Sequence, residues 1–219
     1  MSNASPKVCV VDYGIGNVFS VCNAVEKAGA DVTLTRDPKT LLAADRLILP
    51  GVGAFKRAME ALTDLGLADV LSRYRETERP FLGICIGMQV MMDLSEEFGS
   101  HKGLGYVPGR AQRIDTGADQ DMRVPHIAWA SLDAPAGQDA GALWADTPLR
   151  VFTPGQESVY FVHSFHCQPD NREDIIAVAH YEGQSLTAAV RHGNTFGVQF
   201  HPERSGKVGQ TFIKSFVSA

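Results

Sequence analysis

The amino-acid sequence predicts an α/β fold, with a central, mostly parallel sheet flanked by helices and additional antiparallel strands in its second half. Three observations carry this. In the first half, short apolar runs alternate with helical stretches of about ten residues, the order in which parallel strands and crossover helices follow one another. These runs end in glycine-bearing loops, one holding Gly14 and Gly16, one Gly51 and Gly53, and one Gly83 and Gly87 on either side of Cys85. In the second half the strand-like runs follow too closely for crossover helices, which favours antiparallel pairing.

The first strand is Val8-Cys9-Val10-Val11, running into Asp12-Tyr13-Gly14-Ile15-Gly16-Asn17. Phe19 stands where a dinucleotide-binding loop needs its third glycine, so nucleotide binding is not expected there. Asn17 is placed to cap a helix carrying Val18, Val21, Cys22 and Val25 on one face, which Gly29 would close. Residues 31–34 and 46–49 are the second and third strands, the third entering Pro50-Gly51-Val52-Gly53-Ala54-Phe55. Helical periodicity resumes over residues 55–62 and again over 67–74. The fourth strand ends at Cys85 and is expected at the centre of the sheet, with a helix over residues 88–94 behind it. Ligands of such sheets bind beyond the carboxyl ends of the strands, so the three glycine-bearing loops should share one edge.

Further on, residues 103–109 read as a turn-rich connection and 111–114 as a strand. Residues 116–121 and 134–147 are rich in Gly, Asp and Ala without a core pattern, and both are read as loops. Strands are expected at 159–162, 175–181, 186–191 and 195–200. A closing amphipathic helix over 208–217 turns Val208, Phe212, Ile213 and Phe216 inward. No repeat or linker divides residues 7–219, which read as a single domain, and residues 1–6 read as a terminal extension.

At 219 residues the chain can bury a substantial core, and a net charge of −5 gives no footing for nucleic acid or an anionic membrane. No apolar run approaches the roughly 18 residues of a membrane span, and no signal-peptide pattern opens the chain. The four cysteines (Cys9, Cys22, Cys85, Cys167) follow neither a disulfide framework nor metal-ligand spacing. A reducing cytoplasm is expected, with no metal and no cofactor.

Two features carry chemistry. Gly83-Ile84-Cys85-Ile86-Gly87 has the form glycine, any residue, nucleophile, any residue, glycine, between a strand and a helix. At such a junction the backbone is strained, neighbouring segments press close, and free N–H groups at a helix start favour a thiolate and a developing oxyanion. Read alone, Cys85 could equally be a buried core cysteine. The second feature is Val198-Gln199-Phe200-His201-Pro202-Glu203, an apolar strand stopped by proline. His201 and Glu203 are two apart and would share a face of extended chain, as the base and orienting carboxylate of a nucleophilic triad do. Alone, His201 could cap the sheet and Glu203 could be a surface charge. Together, each at a strand end, the two features point to a Cys85–His201–Glu203 catalytic unit.

With these residues in place the sequence resembles a known family. Asp12-Tyr13-Gly14-Ile15-Gly16-Asn17, Leu49-Pro50-Gly51-Val52-Gly53-Ala54-Phe55, residues 82–89, Val124-Pro125-His126, Tyr160-Phe161-Val162-His163-Ser164 and residues 197–206 match blocks of the class I glutamine amidotransferases. The matches span essentially the whole chain. The cysteine elbow and His-Pro-Glu are common to that class. Pro-Gly-Val-Gly and Phe-Val-His-Ser resemble, more narrowly, its glutaminase subunits that serve a (β/α)₈-barrel cyclase in histidine biosynthesis.

The resemblance implies a flavodoxin-like core and L-glutamine as substrate. It implies attack by Cys85 on the side-chain amide, a γ-glutamyl thioester, proton transfer by His201, and orientation of His201 by Glu203. It implies oxyanion donors at the N–H groups of Ile86 and Val52, the Val52 peptide turning when a partner binds its own substrate. It assigns Gly51, Gly53, Gln89, Glu97, His163, Ser164 and Phe165 to substrate binding, with Glu96 leaving the register of Glu97 open. Asn17, Trp129, Tyr160 and Arg204 match positions at the interface with the cyclase subunit, through which ammonia reaches its acceptor. Trp129 read alone would be a core residue. The family usually has Gly-Trp-Asn at Ala128-Trp129-Ala130, lysine at Arg204, and a tyrosine-rich ending at Phe165-His166-Cys167. These departures leave the triad intact but leave open a paralogue feeding ammonia to a different synthase. A silent regulatory subunit is disfavoured by the intact triad, and a γ-glutamyl hydrolase or protease relative finds no support in Pro-Gly-Val-Gly.

Overall fold

Runs of aliphatic residues covered on both faces become inner strands, and four of them build the middle of a seven-stranded sheet. The computed structural model describes residues 5–117 and 123–218. Its first half runs β1 (Lys7–Val11), α1 (Val18–Lys27), β2 (Asp31–Thr35), α2 (Pro38–Ala43), β3 (Arg46–Gly51), α3 (Phe55–Asp64), α4 (Leu67–Arg75), β4 (Phe81–Cys85) and α5 (Ile86–Gln89). Then come β5 (Met92–Ser95), β6 (His101–Lys102), β7 (Val107–Arg113), β8 (His126–Ser131) and α6 (Ala140–Trp144). The chain closes with β9 (Ser158–His163), β10 (Phe165–Pro169), β11 (Ile175–Tyr181), β12 (Gln184–His192), β13 (Thr195–Val198) and α7 (Gly206–Ser218).

The main sheet has the order β11-β12-β13-β4-β3-β1-β2, so the strand ending at Cys85 lies at its centre. β2, β1, β3, β4 and β13 are mutually parallel, while β12 and β11 join antiparallel. β4 and β13 are buried along their whole length, as strands with both faces covered must be. A four-stranded sheet β10-β7-β5-β6 and the antiparallel pair β8-β9 complete the structure. α7 packs on α1 and β9, with Phe212, Ile213 and Phe216 buried as its sequence pattern requires.

Several expectations are corrected. The helix expected over 88–94 stops at Gln89, and Met92–Ser95 is a strand paired with β7 and β6. Met88 to Met92 are all fully buried, and periodicity cannot tell a buried helix from a buried strand in so short a run. The loop expected over 134–147 contains α6, anchored by Trp144, which is buried and donates its indole N–H to the Ile176 carbonyl at 2.6 Å. α2, β8 and β10 were not anticipated; α2 starts at Asp37, whose carboxylate accepts from the Thr40 N–H at 2.9 Å, ahead of Pro38. Asn17 stands at the N-cap of α1, but its side chain makes no capping bond. Gly29 does follow that helix with φ of +92°. The strand expected over 195–200 ends at Val198. Residues 1–4 of the terminal extension and 118–121 of the other expected loop lie outside the described residues. Among the described residues no helix is long and apolar enough to cross a membrane.

Candidate active site

Cys85 ends β4 with φ of +54° and ψ of −111°, a conformation a side chain-bearing residue adopts only when its surroundings enforce it. The enforcement is close packing of β3, β4 and α5. A Cβ at Gly87 would sit 1.9 Å from the Leu49 carbonyl oxygen, and one at Gly83 would sit 2.6 Å from the Gly87 carbonyl oxygen. Gly51 pairs with Cys85 across the ladder and leaves no more room, with Gly87 N and the Tyr13 hydroxyl both 2.8 Å from where its Cβ would be. Tyr13 is itself fixed, donating its hydroxyl to the Pro50 carbonyl at 2.7 Å.

His201 follows β13, the neighbour of β4, and is 3% exposed. Its Nδ1 meets Glu203 Oε1 at 2.9 Å, and the ring lines the same cleft as Cys85. The contact does not arise from extended chain, as the spacing suggested. Pro202–Arg204 forms a 3₁₀ turn that folds Glu203 back against the imidazole. Burial alone would lower the pKa of His201, but its interactions with Cys85 and Glu203 outweigh this and raise it to about 10. A protonated ring here stabilises negative charge as it develops on the sulfur. Gln199 adds a second donor, its Nε2 lying 3.6 Å from Cys85 Sγ. Burial raises the other thiols, Cys9 to about 11 and Cys22 and Cys167 also upward, so they are held neutral.

Cys85 and His201 face a cleft of about 390 Å³. Of the residues anticipated from sequence, Val52, Gly53, Ile86, Gln89, Glu97, His163, Ser164, Phe165 and Arg204 line it as well. Gly51 and Glu203 lie behind the wall, and Asn17, Trp129 and Tyr160 lie outside it. Gln89 is one turn beyond Cys85 and buried, its amide donating to Phe165 O and to Gln199 Oε1, both at 3.0 Å. Glu97, not Glu96, is the lining carboxylate. Its Oε2 accepts the Phe55 N–H at 2.5 Å at the start of α3, whereas Glu96 pairs with Arg110 at 3.2 Å. Trp129 is 56% exposed rather than core, its ring tilted against Tyr160 with centroids 5.8 Å apart. The Arg204 guanidinium lies over the same Tyr160 ring at 5.4 Å. Among the described residues no group of three or more His, Cys, Asp or Glu is arranged to hold a metal ion.

Sequence reasoning gave no role to Gln199, Tyr13, Ser205 or His126. A polar residue inside the apolar run Val198-Gln199-Phe200 was the one available signal for Gln199. His126 is fully buried and its Nδ1 lies 3.0 Å from His163 Nε2. His163 Nδ1 faces the Phe165 carbonyl at 2.9 Å and must carry the proton, so His163 Nε2 accepts from His126 Nδ1–H. The pocket-side imidazole is thereby oriented from behind.

Burial pushes His126 down to about 4, His163 to about 3 and His166 to about 4. Above about pH 6.5 neither the folded nor the unfolded chain protonates these rings. As pH falls from there toward 4, the unfolded chain takes up protons that the folded chain excludes, and stability is lost. Three such groups give a slope of up to about 4 kcal/mol per pH unit. Urea midpoints are expected to fall steeply between pH 6.5 and 4, and His166→Leu to flatten the slope by about a third. A flat profile over that window would contradict neutral burial of the three rings.

A strained cysteine at the end of a central parallel strand, near a histidine anchored on a carboxylate, has the arrangement that nucleophilic attack on an acyl or amide carbon requires. The glutamine amidotransferase class-I family profile matches residues 9–219, and the chain belongs to that family. It is 41% identical over 212 residues to "Imidazole glycerol phosphate synthase subunit HisH 1" of Legionella pneumophila (strain Lens), covering 96% of this chain and 98% of that one. It is 43% identical over 218 residues to "Imidazole glycerol phosphate synthase hisHF, chloroplastic" of Arabidopsis thaliana, where the match takes up 35% of the relative. Among solved structures, that of PurLQS from Thermotoga maritima shares the fold with a TM-score of 0.71 at 20% identity, covering 98% of this chain and 99% of the other.

Proposed function

We propose that the chain is the glutaminase subunit of imidazole glycerol phosphate synthase, acting in histidine biosynthesis. It hydrolyses L-glutamine to glutamate and ammonia and delivers the ammonia to a cyclase subunit. The observation that carries this reading is likeness over nearly the whole length to named synthase subunits, in a chain whose cysteine, histidine and glutamate meet at one cleft.

In this mechanism the glutamine side chain enters the cleft with its α-amino group toward Glu97. Cys85 Sγ attacks the carboxamide carbon, and the oxyanion is met by N–H groups of Ile86, at the start of α5, and Val52. Each such donor is worth roughly 3 kcal/mol of barrier. His201 gives its proton to the departing ammonia, leaving a γ-glutamyl thioester. It then takes a proton from water as that water attacks the thioester, and glutamate leaves. Glu203 keeps Nδ1 of His201 protonated and the ring in place throughout.

Ammonia released to bulk water would be protonated and lose its nucleophilicity, so the cleft must open toward a partner. Exposed Trp129, Ile127, Phe19 and Val52, with Arg204 on Tyr160, supply an apolar surface of the kind a partner covers. Asn17, exposed in the loop after β1, is assigned to the same face. The family match from residue 9 onward supports residues 7–219 acting as one domain. Four free cysteines suit a reducing cytoplasm.

Glutamate release by the free chain is expected to be negligible, and to rise at least 100-fold on adding a barrel cyclase with its nucleotide ligand. Absence of stimulation would remove this reading and favour a different synthase as acceptor, with Ala128 and Ala130 as the sequence trace of that change.

A further inference from the structure

Three hydrogen bonds close a ring between the exposed aromatic surface and the catalytic base. The Tyr160 N–H donates to Ser205 Oγ at 2.9 Å, and the Ser205 hydroxyl donates to the His201 carbonyl at 2.7 Å. The His201 N–H donates to the Tyr160 carbonyl at 2.9 Å and completes the ring. Ser205 is buried, and its hydroxyl both gives and receives within this circuit.

The two sides of the ring differ in kind. On one side the half-buried Tyr160 ring has exposed Trp129 tilted beside it and the Arg204 guanidinium over its face. On the other, His201 holds Glu203 and shares the cleft with Cys85. Arg204 touches both, since its own N–H donates to the His201 carbonyl at 3.0 Å. Capping the 3₁₀ turn would require only the backbone bond from Ser205 N–H to Pro202 O at 3.1 Å. The hydroxyl instead reaches a strand 45 residues away.

We propose that Ser205 is a positioning residue that fixes His201 to strand β9 and transmits to it any load placed on the Trp129–Tyr160–Arg204 surface. The transmission rests on that surface being the partner-facing one. Because the ring is made of main chain and one hydroxyl, displacement of β9 carries His201 with it relative to Cys85. Proton transfer needs donor and acceptor within about 2.6–3.2 Å, so shifts of a few tenths of an ångström alter the base's competence.

The test uses the full chain with Ser205→Ala, and with Ser205→Thr and Ser205→Val as a pair of equal volume that differ in the hydroxyl. In the first arm, alkylation of Cys85 by iodoacetamide is followed against pH on its own peptide by mass spectrometry, without partner. Ser205→Ala and Ser205→Val are expected to move the profile to higher pH and slow alkylation about tenfold at pH 7, while Ser205→Thr restores it. A loss of stability alone would lower the melting temperature and leave the profile in place. In the second arm, barrel cyclase with its nucleotide ligand is titrated in and glutamate release is measured. Ser205→Val is expected to show at least tenfold less stimulation than Ser205→Thr at saturation, with the same half-saturating barrel concentration. An unmoved alkylation profile overturns the proposal, and so does stimulation equal to the parent's. A parent chain that the barrel does not stimulate fails the partner reading instead, recognisable because it needs no substitution; the alkylation arm then decides for or against Ser205 by itself.

Discussion

Cys85→Ala is expected to bring partner-stimulated glutamate release down by about 10⁶-fold, while the chain stays folded. The substitution removes a single sulfur atom from a buried position whose backbone strain alanine shares, so its structural cost is small. No other thiol can stand in, because burial raises Cys9, Cys22 and Cys167 and none of them lines the cleft. In the proposed mechanism the elements left behind, His201 on Glu203 and the N–H groups at the start of α5, would still meet substrate but have no atom to accept the acyl group. Groups that act as one unit fail together: His201→Ala should cost nearly as much, and the double variant little more than either. Stopped glutamate assays on the three variants, with melting curves to confirm folding, provide the measurement. Release by Cys85→Ala within tenfold of the parent would remove the cysteine from the mechanism.

How much of this was legible beforehand follows from where each signal resides. The parallel core could be read because β1, β3 and β4 are continuous apolar runs, and a run buried on both faces looks alike in sequence and in space. The elbow could be read because its glycines are forced by contact distances, which leave a fixed local pattern around Cys85. The meeting of His201 and Glu203 was anticipated with the wrong local geometry. A spacing of two fits extended chain or a tight turn, and only the packing of Pro202 decides between them. Of the elements missed, α2 carried a local signal in its Asp37 cap and Pro38, whereas β5, β6, α6, β8 and β10 depend on tertiary partners, as Trp144 shows with its bond to the Ile176 carbonyl. Gln199 left only the signal of a polar residue in an apolar run, and Ser205 none, because the partners that give them a role, Gln89 and Cys85 in one case and Tyr160 in the other, are distant in sequence.

Gly87→Ala is expected to cost at least about 3 kcal/mol of stability and to abolish activity with it. The residue is not needed for an unusual backbone angle, since Gly87 is absent from the positive-φ positions. It is needed for room. An added methyl would stand 1.9 Å from the Leu49 carbonyl oxygen and 2.9 Å from the Leu49 carbonyl carbon, both main-chain atoms of an inner strand. Neither can rotate away. Relief requires either lifting α5 off β3 or parting the ladder in which Leu49, Pro50 and Gly51 pair with Gly83, Ile84 and Cys85. Either movement displaces Ile86 and releases the strain on Cys85, so stability and catalysis should fall together. Gly193→Ala supplies the comparison: that glycine has φ of +60° with nothing within 4 Å of a Cβ, and its cost is backbone strain alone, about 1–2 kcal/mol. Urea unfolding of the two variants separates the cases. A midpoint for Gly87→Ala no lower than that of Gly193→Ala would mean that α5 and β3 can move apart cheaply, and the strained geometry of Cys85 would then need another cause.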